Sequence, residues 1–241
     1  MGAKKIKPSK KVAAKIAPAQ DTYVEQVKIW AEKNYSRIVI VGAAILFAVI
    51  SAWGMNAYQT YSENSARSAY APLASKLAAE GTMAPEEWQK LIPDLQKFIS
   101  AQKGTQTALL AKVELAKAYF ETKRYDDAIK TASEALKAIP PGHGLKPLIQ
   151  YQLAYAYEAA GKPDQAVKEW TDLKGAGLAG LDREAQWNIG RIYAAGKDYA
   201  RAAEMYAKAV DAPGSYPASA LLEQELERTR QAAGIGEKQG K

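Results

Sequence analysis

Residues 153–170 read LAYAYEAAGKPDQAVKEW, and the same text, altered in detail, stands on either side as LAKAYFETKRYDDAIKTA at 115–132 and IGRIYAAGKDYARAAEMY at 189–206. In each copy a small residue is followed three positions later by Tyr, then by a turn, then by Ala nine positions after that Tyr. The series runs Ala116, Tyr119, Ala128, then Ala154, Tyr157, Ala166, then Gly190, Tyr193, Ala202. Three matches to one spacing rule are hard to obtain by chance, and self-similarity at such a period is the mark of a repeat array. Each unit is too short to bury its apolar face alone and must stack on its neighbours.

The pattern resembles the tetratricopeptide repeat, a pair of antiparallel helices in which small residues let the helices approach closely and aromatics fill the gaps. The resemblance implies an all-α solenoid of about three repeats over residues 107–214. Position seven of the motif holds Leu115, Leu153 and Ile189, and the later aromatic is Trp170 or Tyr206. In the first repeat that place holds Ala132, which makes this repeat the thinnest. A closing Pro is present as Pro140, is not clear in the second unit, and comes one place early as Pro213. Ala128 to Ala166 spans 38 positions and Ala166 to Ala202 spans 36, against a usual period of about 34. The extra residues fall in Pro140–Gly144 and Gly175–Gly180, which read as loosened turns.

An open stack exposes its stacking faces, so both ends need covers. Residues 59–106 form a helical lead-in and N-terminal cap. Its first stripe runs Tyr61, Ala66, Ala69, Leu73, Leu77, with Pro72 expected to kink or stop the helix and Gly81 to end it. A second helix opens at Pro85 and closes before Gly104, with Trp88, Leu91, Ile92, Leu95, Phe98 and Ile99 on one face despite Pro93. Residues 215–241 give a capping helix from Ser219 to Ala233, with Leu221, Leu222 and Leu226 on one side, Gly234 as its stop, and a frayed end.

Upstream, Ile38 to Ser62 contains no charged residue. Ile38 to Ala57 is twenty residues, nine of them Ile, Val, Leu or Phe, enough to match a hydrocarbon layer of about 30 Å with about −3 to −5 kcal/mol of favourable transfer. Trp30 and Tyr35 on one side and Trp53, Tyr58 and Tyr61 on the other sit where the interfaces fall. The reading is a transmembrane helix over 38–58. A cleaved signal peptide has a shorter apolar region of roughly 7–15 residues, so an uncleaved anchor is expected. The 37 residues before it carry nine Lys or Arg against three acids, while the whole chain is only +7. The positive-inside bias therefore predicts a cytoplasmic N-terminus and an exported C-terminal domain. It also shows the pI near 9.3 to be a property of a tail, which disfavours nucleic acid as a partner of the folded part. Residues 1–20 read as a basic disordered tail able to attract anionic lipid, and Thr22-x-x-Glu25 as a capping box opening an amphipathic interfacial helix over 21–37. Ala44, Ala48 and Ala52 make a small-residue ridge on which a second helix can pack.

The inventory for chemistry is poor. There is no Cys and one His, His143, in a Pro/Gly turn. Zinc sites built on Cys and His, Cys/His pairs and Ser/His/Asp triads are therefore not expected, no metal, cofactor or catalytic residue is assigned, and the chain is read as a non-enzyme. Gly175-x-Gly-x-x-Gly180 imitates a dinucleotide fingerprint but follows a helix where a strand is required. Asp126-Asp127 and Glu86-Glu87 stand at helix starts, where they complement the helix dipole.

Binding is the better prospect. The tetratricopeptide resemblance implies a groove lined by the first helix of each repeat, through motif positions two, five, nine and twelve. Those places hold Leu110, Val113, Lys117 and Phe120, then Leu148, Tyr151, Tyr155 and Glu158, then Glu184, Trp187, Arg191 and Ala194. Lys117, Phe120, Tyr151, Tyr155, Glu158, Trp187 and Arg191 are the candidate protein-binding residues, a mix expected of interface hot spots. The Lys/Asn clamp that grips acidic C-termini in chaperone-binding members is not matched at Val113 and Lys117. The whole layout of basic tail, single span, helical lead and about three repeats resembles the bacterial membrane-anchored tetratricopeptide proteins that include the ancillary SecYEG translocon subunit. That resemblance implies a chaperone-like periplasmic scaffold near the export channel of the inner membrane. Two alternatives stand beside it: an accessory subunit of another inner-membrane complex (respiratory, motility or secretion), and a cytoplasm-facing adaptor for lipid or RNA.

Overall fold

The computed structural model describes residues 19–78, 83–140, 142–174 and 180–235, with residues 19–22 as backbone alone. The basic tail up to Pro18, Gly81, Pro141, most of the Gly175–Gly180 loop and the last six residues lie outside that set. The chain divides into two units, residues 1–60 and 61–241, and all regular structure among the described residues is helical.

In the first unit, α1 spans Ala19–Lys33. It begins three residues before Thr22, so Thr22 lies inside the helix and does not cap it. Asn34 alone interrupts the path to α2, which spans Tyr35–Ala78. The apolar window of α2 is wholly unburied, and Phe47 and Trp53, for example, are 75% and 73% exposed. By length and composition α2 is a candidate membrane span.

The second unit opens on the last turns of α2, which do not stop at Pro72 as expected. Pro72 lies on an exposed side of the helix, where the carbonyl freed by its missing N–H can be hydrated and its ring clears the packing. The same solution carries α3, Pro85–Ala101, through the exposed Pro93. The buried face of α2 here is Ala66, Tyr70 and Leu73, while Tyr61 and Ala69 are exposed. Tyr70 and not Ala69 faces inward, and its ring lies 5.3 Å from that of Phe98. On α3 the expected stripe of Trp88, Leu91, Ile92, Leu95 and Phe98 is buried.

Three helix pairs follow: α4 Gln106–Glu121 with α5 Tyr125–Ala138, α6 Lys146–Ala159 with α7 Pro163–Lys174, and α8 Leu181–Ala195 with α9 Tyr199–Asp211. The repeat positions read from the sequence are the contact points, since Ala116, Ala128, Ala154, Ala166 and Ala202 are each no more than 2% exposed. Gly190 marks the closest approach: a Cβ there would stand 2.8 Å from Cε1 of Tyr206. The last helix, α10 Ser219–Ala232, packs Leu222 fully inside but leaves Leu221 exposed. The Ile235 N–H donating to the Arg230 carbonyl at 2.9 Å, with Gly234 at φ 69°, ends it as expected.

The turn inside each repeat is the same left-handed cap. Lys123, Gly161 and Lys197 stand four residues after the repeat Tyr, at φ 60°, 70° and 62°. The next residue's N–H donates back to Tyr119, Tyr157 or Tyr193 at 2.8–2.9 Å. Only the second repeat uses glycine, although a left-handed conformation costs an L-residue roughly 1–2 kcal/mol. Allowing for the extra chain entropy glycine loses on folding, Lys197→Gly should stabilise the protein by about 0.5–1 kcal/mol. Thermal melting followed by helicity checks this, and a lowered Tm would show that the lysine side chain itself contributes.

Glu63 ties α2 to the first repeat. Its carboxylate accepts from the Gln106 N–H at 2.8 Å and from Thr107 Oγ1 at 2.6 Å, satisfying donors at the start of α4. Burial pulls its pKa upward, but the bonds from Thr107, the Gln106 backbone and Arg67 outweigh that and hold it below the usual carboxylate value. A folded pKa below the unfolded one gives stability that is present above about pH 4.3 and lost as pH falls through the folded pKa. Glu63→Gln should therefore cost about 1 kcal/mol at neutral pH and make the loss of stability on acidification shallower. Denaturation midpoints measured from pH 7 down to pH 3 would test it, and parallel pH profiles would count against the clamp.

Candidate functional site

The first helices of the repeats, α4, α6 and α8, each pack against the second helix of their own repeat and against the helix before them, and their remaining faces carry the candidate residues. The structure sorts these into three groups.

Lys117, Phe120, Tyr151 and Tyr155 line one cavity of about 510 Å³ together with Ala116, Glu121, Ala128, Ala132, Leu148 and Gln152. Lys117 Nζ sits 5.1 Å above the Trp88 ring, and Phe120 lies 5.6 Å from Tyr125. Tyr151 and Tyr155 stand 4.9 Å apart, and both lie nearly perpendicular to the buried indole of Trp170, at 5.3 and 5.0 Å.

The second group is a polar ladder between α6 and α8. Tyr151 Oη donates to Glu184 Oε1 at 2.8 Å. Arg191 grips Glu158 with two nitrogens at 2.5 and 2.6 Å, and its Nη2 also donates to Asn188 Oδ1 at 3.1 Å. Two parallel bonds in a half-buried setting make this the strongest ion pair geometry available to these side chains. Burial, with Glu184 opposite, pushes the ionisation of Tyr151 upward, and burial does the same to Tyr155. The bonds to Glu158 raise that of Arg191. All three thus keep their donor hydrogens through any ordinary pH. Arg191 and Glu158 are therefore bound to each other across the repeats, a partnership the motif positions did not disclose.

Trp187 forms the third group, half-buried against the last core cluster, 6.0 Å from Tyr216 and 5.7 Å from the Arg191 guanidinium. Val113, at a motif position expected to face the groove, is 1% exposed and belongs to the core. It packs with Leu109, Ala116 and Ala132, and a β-branched residue in that close-packed seam cannot also face outward. Glu184 and Asn188 complete the ladder, while Gln152 and Glu121 complete the cavity wall. Their spacing on α6 and α4 places them there, but no residue-type signal singles them out.

Ala44, Ala48 and Ala52 are exposed along α2. His143 organises its own loop: Nδ1 accepts from the Leu145 N–H at 3.2 Å, which leaves Nε2 to donate to Gln106 Oε1 at 2.9 Å. Among the described residues no three His, Asp or Glu side chains are grouped so as to hold a metal.

Two solved structures with this architecture align over most of the chain. A kinesin light chain protein with nearly identical TPR-like repeats, from Podosopora anserina, is 19% identical at a TM-score of 0.53, covering 73% of this chain and 87% of that one. BtubC (BKLC) from P. vanneervenii is 16% identical at a TM-score of 0.50, covering 74% and 82%. At such identities the likeness is one of fold. No curated protein sequence matches significantly. Residues 28–230 match the tetratricopeptide repeat-like domain, and with the repeat contacts and helix pairs described above this places the chain in the tetratricopeptide repeat-like family.

Proposed function

We propose that this chain is a non-enzymatic, single-span scaffold whose repeats bind protein partners on the exported side of a bacterial inner membrane. The observation that carries the binding role is the outward line of aromatic and ionic side chains on α6 and α8, with Tyr151, Tyr155, Trp187 and Arg191 held half-buried in fixed geometry. Rigid, partly covered aromatics and an oriented guanidinium are the groups that dominate protein–protein affinity. The anchor reading is supported by the unburied apolar window of α2, and by the family match, which begins at residue 28 and so includes that helix. The orientation is supported by the nine cations against three acids before Ile38. A chaperone-like place beside the Sec export channel is supported by the resemblance in layout. The exposed Ala44-Ala48-Ala52 ridge favours, as a second reading, an accessory subunit of a different inner-membrane complex.

Protease added to intact spheroplasts should degrade the repeats, and their survival would reverse the orientation. Photo-crosslinkers placed at Ala48 and at Leu148 should recover Sec subunits or exported clients. Recovery of some other complex alone would select the second reading. Trp187→Ala should weaken capture of the recovered partner by about 1–2 kcal/mol with little change in melting, and a variant that unfolds instead would make Trp187 a core residue.

A further inference from the structure

The first repeat lacks a side chain that the other two possess, and the molecule itself shows what belongs there. Where α7 carries Trp170 and α9 carries Tyr206, α5 carries Ala132. Trp170 is fully buried, with the rings of Tyr151 and Tyr155 packed nearly perpendicular to it. Tyr206 is 1% exposed and lies flush against Gly190. Alanine reaches none of the corresponding volume, and the cavity of about 510 Å³ opens against it, walled by Ala116, Ala128 and Ala132 on one side and Leu148, Tyr151 and Tyr155 on the other.

We propose that this cavity is a receptor for one aromatic side chain, tryptophan or tyrosine, presented by a partner protein. The entering ring completes the first repeat in trans as Trp170 and Tyr206 complete the second and third in cis. This rests on the protein-binding reading above and gives it a specificity. Two observations favour an aromatic occupant. The two filled repeats both use one. Tyr151 and Tyr155 already pack perpendicular to the Trp170 indole, so their rings are held in place before anything binds. The occupant comes from outside the stretches of this chain that lack description, since residues 1–18, 79–82, 141, 175–179 and 236–241 contain no Phe, Trp or Tyr.

The test uses the full chain in lipid nanodiscs and N-acetyl-5-fluorotryptophan amide as the probe, followed by fluorine NMR, with N-acetyl-leucine amide as competitor. Saturable binding is expected, displaced poorly by the leucine amide. It should weaken at least tenfold in Ala132→Trp, and likewise in Ala132→Phe, a smaller filling whose helicity and melting confirm the fold. No saturable binding, equal binding by Ala132→Phe, or equal displacement by the leucine amide each overturns the proposal. A partner crosslinked from Leu148 that persists in a folded Ala132→Phe leaves the protein-binding reading intact and removes this one. Probe binding that is lost in Ala132→Phe while no protein is crosslinked supports the aromatic site and removes the broader reading. If the crosslinked partner is a second copy of this chain, the aromatic it inserts is its own, and the proposal stands.

Discussion

Replacing Trp170 with alanine is expected to destabilise the repeats by about 3–5 kcal/mol, the range for deleting a large aromatic from a packed interior. Trp170 is wholly buried at the centre of the cluster that joins the second repeat to the third, with Ala154, Leu173, Ala185 and Ile189 around it. The adjoining hollow beside Ala132 makes the cost worse, because Tyr151 and Tyr155 then have apolar support on neither side. Trp170→Phe should cost less than half as much. It retains a ring, and it removes an indole Nε1 that is buried without a partner among the described residues, a group that is itself unfavourable to bury. Denaturant unfolding of the full chain measures both. A loss under 1 kcal/mol in the alanine variant would mean that the three repeats are not held by this seam.

The second large effect is expected at Arg183. This side chain is only 4% exposed, and its guanidinium donates to the Pro217 carbonyl at 2.9 Å, the Ala212 carbonyl at 3.1 Å and Ser219 Oγ at 2.8 Å. It thereby ties α8 to the whole connection between α9 and α10. Arg183→Leu leaves two carbonyls without donors and should cost about 2–4 kcal/mol. Lysine, a single point charge lacking the planar fork, should recover only part of this. The loss should also be local, so limited proteolysis should cut between residues 211 and 219 before the earlier repeats are touched. Uniform cleavage along the chain would argue that the C-terminal cap has no separate docking.

Arg183 carries no sequence signal, and the reason is instructive. Its role depends on carbonyls some thirty residues away whose direction is set by how the last connection crosses the repeat, and no periodicity records that. The same holds for Glu63, which looks like one member of an ordinary i,i+4 pair with Arg67 until α4 is brought against it. The Arg191–Glu158 pair is similar: both were legible as groove residues, but their engagement with each other was not. Pro72 and Pro93 erred the other way. Local propensity reads proline as a breaker, whereas exposure on one side of a helix makes it tolerable.

The sequence by itself determined the helical class, the number of repeats, the identity of the close-contact positions and the apolar stretch of α2. Each of these is set by spacing along the chain and needs only short-range geometry to read. Tertiary structure alone decided what Ala132 means. In the sequence it is a weak match to a motif. In three dimensions it is a hollow between α4, α5 and α6, because an absence becomes a space only when the surrounding walls are fixed by packing from elsewhere. It likewise divided the groove residues into those already bound to one another and those still facing an empty volume.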